Sequence, residues 1–192
     1  FYCELKIDGF AIELVYENGV LMQGSTRGDG TIGEEVTQNL KTVEAIPLQV
    51  NIKGQMSNIP RRLIVRGEVF LTKKEFERMN KEQEKNGKKP YANPRNIAAG
   101  SIRQLDPRVI AARKLDSFQY GIESYIGQRY HEDEHDVLKK IGCKINAHNK
   151  YVATLEDVFA FRDYWEKHRE KLPYEIDGIV VLVNSDKDFN AG

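Results

Sequence analysis

The sequence predicts an α+β domain of antiparallel strands interrupted by helices. Three observations carry that reading. Short apolar runs near the start of the chain are joined by Asn18-Gly19, a strong hairpin signal. Further on, segments with apolar residues at helical spacing begin at cap residues and end before glycine or proline. Ile179 to Val183 is a continuous apolar run of the kind found in strands buried on both faces.

In chain order, Cys3 to Ile7, Ala11 to Tyr16 and Val20 to Thr26 read as a meander. Arg27 to Gly30 is a glycine-rich turn, and Thr31 to Glu34 has capping-box spacing. Ile32, Val36, Leu40 and Val43 then predict a short amphipathic helix that stops before Pro47. Leu63 to Leu71 reads as a strand. Thr72-Lys73-Lys74-Glu75 is a second capping box, opening a helix with Phe76 and Met79 inward that dissolves into a basic loop at Lys88-Lys89. Asn93-Pro94 supplies an N-cap and first-turn proline for a helix reaching Gln104, whose Ala98, Ala99 and Gly100 allow close approach of another backbone. A strand near Ser117 to Tyr125 follows. Helices are predicted at Glu132 to Ile141, capped by Gly142, and at Leu155 to Glu170, before Pro173.

Composition narrows the function classes. Lysine plus arginine and aspartate plus glutamate number 29 each, so no global positive field advertises nucleic acid and any such contact must use local patches. No apolar run approaches the roughly 18 residues of a membrane span. Cys3 and Cys143 have no partner pattern, which argues for a reducing, cytoplasmic compartment and against a disulfide scaffold. The chain opens at Phe1 almost within a strand and ends soon after another, so it reads as a piece of a longer protein.

The chemistry-bearing stretch is Cys3-Glu4-Leu5-Lys6-Ile7-Asp8-Gly9. Alternation places Glu4, Lys6 and Asp8 on one strand face, opposite Cys3, Leu5 and Ile7. A lysine set between carboxylates can be a covalent nucleophile, but an ordinary amine, with a pKa of about 10.4, is almost wholly protonated at neutral pH. Asp8 alone favours the ammonium form, so burial, a metal or nearby arginines must act against it. Without them Lys6 and Asp8 fit a surface ion pair. Arg95 and Arg103 lie about 80° apart around a helix and fit either one shared phosphate partner or salt bridges to Glu68 or Asp106. His131-Glu132-Asp133-Glu134-His135 matches the zinc-protease pattern H-E-x-x-H, here read as a chance match in an exposed acidic segment without a third ligand. No metal ligands are assigned.

Blocks distributed along the chain change the weight of these residues. Lys6-Ile7-Asp8-Gly9, Thr26-Arg27-Gly28-Asp29-Gly30, Val65 to Phe70, Ala92-Asn93-Pro94-Arg95-Asn96, Ala99 to Pro107 and Glu175-Ile176-Asp177-Gly178 resemble, in order, the nucleotidyltransferase domain of bacterial NAD-dependent DNA ligases. The resemblance spans residues 1–192 as a partial adenylation domain. It implies an ATP-grasp-like nucleotidyltransferase fold, with antiparallel sheets and flanking helices. It implies NAD and magnesium as cofactors, nicked double-stranded DNA as partner, no membrane, a monomer, and a place in replication and repair in the nucleoid of a bacterial cytoplasm. Lys6 is then the amine that takes AMP from NAD. Glu4 corresponds to an adenine contact, Tyr120 to the aromatic stacked on adenine, and Arg27 to a nucleotide-site arginine. Asp8 and Glu68 correspond to residues of the sugar network. Arg95 and Arg103 correspond to arginines near the nick phosphates, and Asp177 to the second acidic residue near Lys6 and the metal.

The chain also departs from the family pattern. Leu182 stands where the family commonly has a lysine, and it cannot donate a hydrogen bond to adenine. The final lysine motif, the domain that holds the nicotinamide mononucleotide half, and the oligonucleotide-binding, zinc, helix-hairpin-helix and BRCT modules are not among these 192 residues, which alone are expected to seal nicks poorly. The alternative is a degenerate nucleotide- or DNA-binding module without covalent chemistry, for which Leu182 is the best support.

Overall fold

A computed structural model describes residues 1–27, 33–51, 59–104, 106–185 and 187. The elements are β1 (Tyr2–Ile7), β2 (Phe10–Glu17), β3 (Val20–Thr26), α1 (Thr37–Leu40), β4 (Arg62–Phe70), α2 (Lys73–Lys85), α3 (Pro94–Ile102), α4 (Pro107–Ala111), β5 (Asp116–Ile122), α5 (His131–Lys140), β6 (Lys150–Tyr151), α6 (Leu155–His168), a 3-10 turn (Arg169–Lys171) and β7 (Ile176–Leu182). They form two antiparallel sheets, one ordered β3-β2-β4-β5 and the other β6-β1-β7.

The β2–β3 hairpin turns on Asn18 and Gly19, both at positive φ (49° and 83°), as the sequence requires. The predicted meander does not extend to β1, which leaves for the second sheet. The corner is Asp8-Gly9, where a Cβ on Gly9 would lie 2.5 Å from the Val69 carbonyl oxygen. Only glycine lets β1 turn away so close to β4.

Apolar residues of the larger sheet, such as Leu14, Tyr16 and Val65, are covered by Leu40, Ile102, Ile110 and Leu138 from the helices. A second cluster joins Cys3 and Leu5 of β1 to Phe161 and Trp165 of α6, and to Phe70 and Phe118 at the ends of β4 and β5. Phe70, Phe118 and Tyr174 pack ring on ring at 5.0 to 5.3 Å between centroids. The largest described cleft among these elements, lined from both sheets, lies where the two clusters meet and is the candidate site.

Helix ends follow local chemistry. Asn93 Oδ1 accepts from the Arg95 backbone NH at 2.7 Å and caps α3. Gly142 (φ 95°) ends α5 with bonds from its NH to Lys139 O and from Cys143 NH to Leu138 O. Thr72 caps α2, but the Glu75 carboxylate turns to Arg78 instead of completing a capping box.

Other expectations need correction. The helix predicted from Ile32 to Val43 contracts to Thr37–Leu40, because Val36 is non-helical (φ −137°, ψ 26°) and its NH bonds back to the Gly24 carbonyl at 2.8 Å. Ile32, Thr31 and the glycines of the Arg27 turn lie outside the described residues. A Cβ on Gly100 would meet nothing within 4 Å, so Gly100 makes no close backbone contact, whereas Ala98 is fully buried. The β7 strand is not buried on both faces. It is an edge strand, and Val181 and Val183 are exposed.

Candidate active site

Two bulges aim side chains at the cleft. Lys6 pairs with Gly178 and Ile7 with Ile176, so Asp177 is the extra residue of β7. Its carboxylate receives Lys6 Nζ at 2.6 Å. Arg66 pairs with Gly121 and Gly67 with Gln119, so Tyr120 is the extra residue of β5. A bulge rotates the residue it inserts out of the ladder, which is how a regular sheet presents a side chain to a site.

The cavity between the sheets holds about 570 Å³. Glu4 and Lys6 of β1, Arg27 after β3, Glu68 of β4, Tyr120 of β5 and Arg95 of α3 all line it. Asp8 and Asp177 enter through their ion pairs, Asp8 Oδ1 with an Arg95 guanidinium NH at 3.2 Å and Asp177 with Lys6. The predicted Lys6–Asp8 pair is therefore replaced by two pairs. Burial, opposed in part by Arg95 and Lys6, pushes the Glu68 carboxyl up to about 7. Burial, with Glu68 beside it, pushes the Tyr120 hydroxyl up to about 12.

Arg103 does not line the cavity. It pairs with Glu34 Oε2 at 2.9 Å and lies 5.5 Å above the centre of the Phe10 ring. Arg95 and Arg103 thus have separate partners, and neither pairs with Glu68 or Asp106. Leu182, with Val180 and Val183, forms an apolar part of the wall.

The exposed-segment reading of His131 to His135 is overturned. His135 is 3% exposed, and α5 packs against β5, with Glu134 Oε2 accepting from the Ile122 NH at 2.8 Å. Nε2 of His131 and of His135 both reach Glu4 Oε1, at 2.9 and 2.7 Å. Burial disfavours a charged Glu4, but the two histidine hydrogen bonds outweigh it and hold the carboxyl below its ordinary value. Burial likewise opposes a charged His131, but Glu134, 3.8 Å from Nδ1, and Glu4 lift it to about 9. The acidic residues that looked like a solvated run also fill the first turn of α5, where the helix dipole favours them.

The three nitrogen and oxygen atoms of Glu4, His131 and His135 lie within 4.8 Å of one another, close enough to surround a cation. Against that use, His135 Nδ1 is buried with no partner. Metal-binding histidines almost always donate the other ring NH to an acceptor. The atoms fit better as a hydrogen-bonded cluster around one carboxylate.

The cavity therefore presents a lysine, the three arginines Arg27, Arg66 and Arg95, the Tyr120 ring and buried carboxylates such as Glu4. Such a set can hold a phosphorylated ligand that carries a planar ring, with the lysine at one side as nucleophile.

Comparison with known proteins agrees with this chemistry. The family model described as NAD-dependent DNA ligase adenylation domain matches residues 1–190. DNA ligases of Shouchella clausii and Oceanobacillus iheyensis are 49% and 48% identical over 187 residues, 96% of this chain and 27% of those proteins. The DNA ligase of Natranaerobius thermophilus is 45% identical over 192 residues, 99% of this chain and 28% of that protein. The chain thus spans about a quarter of the length of these curated relatives. A family match over residues 1–190, together with these relatives, leads to one conclusion: the chain belongs to the NAD-dependent DNA ligase adenylation domain family.

Proposed function

We propose that this domain is the nucleotide-transfer core of an NAD-dependent DNA ligase, built on the ATP-grasp-like nucleotidyltransferase fold. The observation that carries the reading is Lys6, held at 2.6 Å by Asp177 on the wall of a cavity that also presents Arg27, Arg95 and Tyr120.

In this reading NAD enters with its adenine against Tyr120 and Glu4, its ribose near Glu68 and its phosphates toward the arginines. Lys6 must lose a proton before it can attack. Asp177 accepts a hydrogen bond from Nζ and so orients the amine, but the pair by itself favours the ammonium form, so the proton leaves only when a bound cation or the nearby guanidinium of Arg95 weakens that hold. The amine attacks the α-phosphorus, a phosphoramide bond to AMP forms, and nicotinamide mononucleotide leaves with the electron pair of the broken pyrophosphate bond. The AMP then passes to the 5′-phosphate of a nick, and the 3′-hydroxyl displaces it. In-line transfers of this kind depend on positioning and charge neutralisation more than on covalent chemistry.

Asp8 holds Arg95 from behind, so Arg95 keeps its place on the wall until a phosphate competes for it. Arg103, tied to Glu34 outside the cavity, suits a contact with nick phosphates. Magnesium fits the donor chemistry, since Asp177 and Glu68 offer the hard oxygens that it prefers, and when bound it would neutralise phosphate charge. The bacterial cytoplasm, a role in replication and repair, and a monomeric protein acting on nicked duplex belong to the same proposal. Among the described residues no helix is long and apolar enough to cross a membrane.

Lys6→Arg is the discriminating variant. It should abolish AMP transfer in the ligase reading. A module that binds nucleotide without covalent chemistry, the reading that Leu182 favours, would keep its binding and show no adenylate in either protein.

A further inference from the structure

Glu4 has an unusual set of partners. Both histidine bonds end on Oε1, and none of the described hydrogen bonds uses Oε2, although Glu4 lines the cavity. His135 Nδ1 is buried without a hydrogen-bond partner, so the ring's contact with Glu4 runs through Nε2, which donates to the carboxylate. His131 donates to the same oxygen and is held from its other side by Glu134. Tyr2 packs against both rings, at 5.3 and 4.8 Å between centroids, and fixes their planes. The two histidine bonds hold the Glu4 carboxyl below its ordinary value and so ionised, and an ionised carboxylate can only accept at its second oxygen.

We propose that His131 and His135 are positioning residues that commit Glu4 to accepting a hydrogen bond from an exocyclic amino group, so that the cavity takes a 6-aminopurine and rejects a 6-oxopurine. The inference rests on the reading of Glu4 as the base contact. An amino group at the purine 6-position donates to Oε2, whereas an oxo group there sets two acceptors against each other and the base must shift to offer its N1–H instead. Sites built to hydrogen-bond a substrate group discriminate strongly against analogues that cannot make the bond. His131 lines the cavity beside Glu4, and His135 stands behind, so the first also meets the ligand and the second acts through Glu4 alone.

The test is the ratio of AMP to IMP affinity, measured by calorimetry on this chain. The wild type should prefer AMP by about tenfold or more, and His135→Leu should bring the ratio to within about threefold of unity. His135→Gln, which still offers an NH, should restore most of the preference, a rescue that a purely structural role would not produce. His131→Gln gives a second route if His135→Leu does not fold. Glu4→Gln separates the two layers of the argument. If it leaves the ratio unchanged, or if the wild type binds neither nucleotide, the base-contact reading fails and the inference with it. If Glu4→Gln abolishes the preference while both His135→Leu and His131→Gln keep it, the base contact stands and the clamp is wrong. Equimolar zinc provides the last arm. Tight binding by the wild type that is lost in the Glu4 and histidine variants would show a metal site there and overturn the proposal.

Discussion

At the scale of residues, the site works through paired charges. Lys6 and Asp177 form one ion pair, and the neighbouring pair of Asp8 and Arg95 keeps a guanidinium on the cavity wall. Asp177→Asn removes the carboxylate that orients Lys6, and should slow its adenylation by about 100-fold or more, read as AMP incorporation per minute. His131 gives a pH signature. Its pKa rises from 6.5 to about 9 on folding, so its contribution to stability is fully present below 6.5 and is lost as pH rises through about 9. The gap in urea midpoint between wild type and His131→Gln should shrink across that window, whereas a pH-independent gap would remove the ionic role. The Glu4 carboxyl, held low, contributes in the opposite sense: its stabilisation is present above its unfolded value and fails as the medium becomes acidic enough to protonate it. That Glu4 and Lys6 share a face was legible from strand alternation, whereas Arg27, Glu68, Tyr120 and Arg95, which also line the cavity, were assigned to the site only through the family resemblance. The part played by the histidines was not legible, because their partner Glu4 lies 127 and 131 residues away. Helical spacing showed two rings on one face of α5 but could not show what they faced.

At the scale of elements, the site depends on irregularities in otherwise regular sheets. Asp177 and Tyr120 each occupy the extra position of a bulge, and Gly67 lies beside the second one. A Cβ on Gly67 would lie 2.7 Å from the Phe118 carbonyl oxygen, so Gly67→Ala must push β4 and β5 apart. It should cost about 1 to 3 kcal/mol in denaturant unfolding and weaken nucleotide binding through Tyr120. An unchanged urea midpoint would contradict this. The sequence indicated where these strands lie but not their registers, since strand periodicity carries no mark of an inserted residue. The same limit explains β1, read as part of a meander because it is followed closely by β2. Its true partners, β6 and β7, come from the far end of the chain. The double-buried reading of β7 failed for a related reason, as apolar content alone does not reveal an edge strand.

At the scale of the whole molecule, one cavity draws on nearly the full length of the chain, from Glu4 to Val183. The aromatic trio of Phe70, Phe118 and Tyr174 lies at the junction of β4 and β5 with the second cluster, and so sets how the two sides of the cavity meet. Phe118→Ala should cost about 3 to 5 kcal/mol of stability and lower nucleotide affinity along with it. A loss of stability with full affinity would show that the cavity walls are held independently of this junction. The most direct measurement of the central claim is peptide mass spectrometry of the protein that carries this domain, after incubation with NAD and magnesium. One AMP on Lys6, absent from Lys6→Arg, is the predicted result; no adenylate, or adenylate on a different lysine, would contradict it.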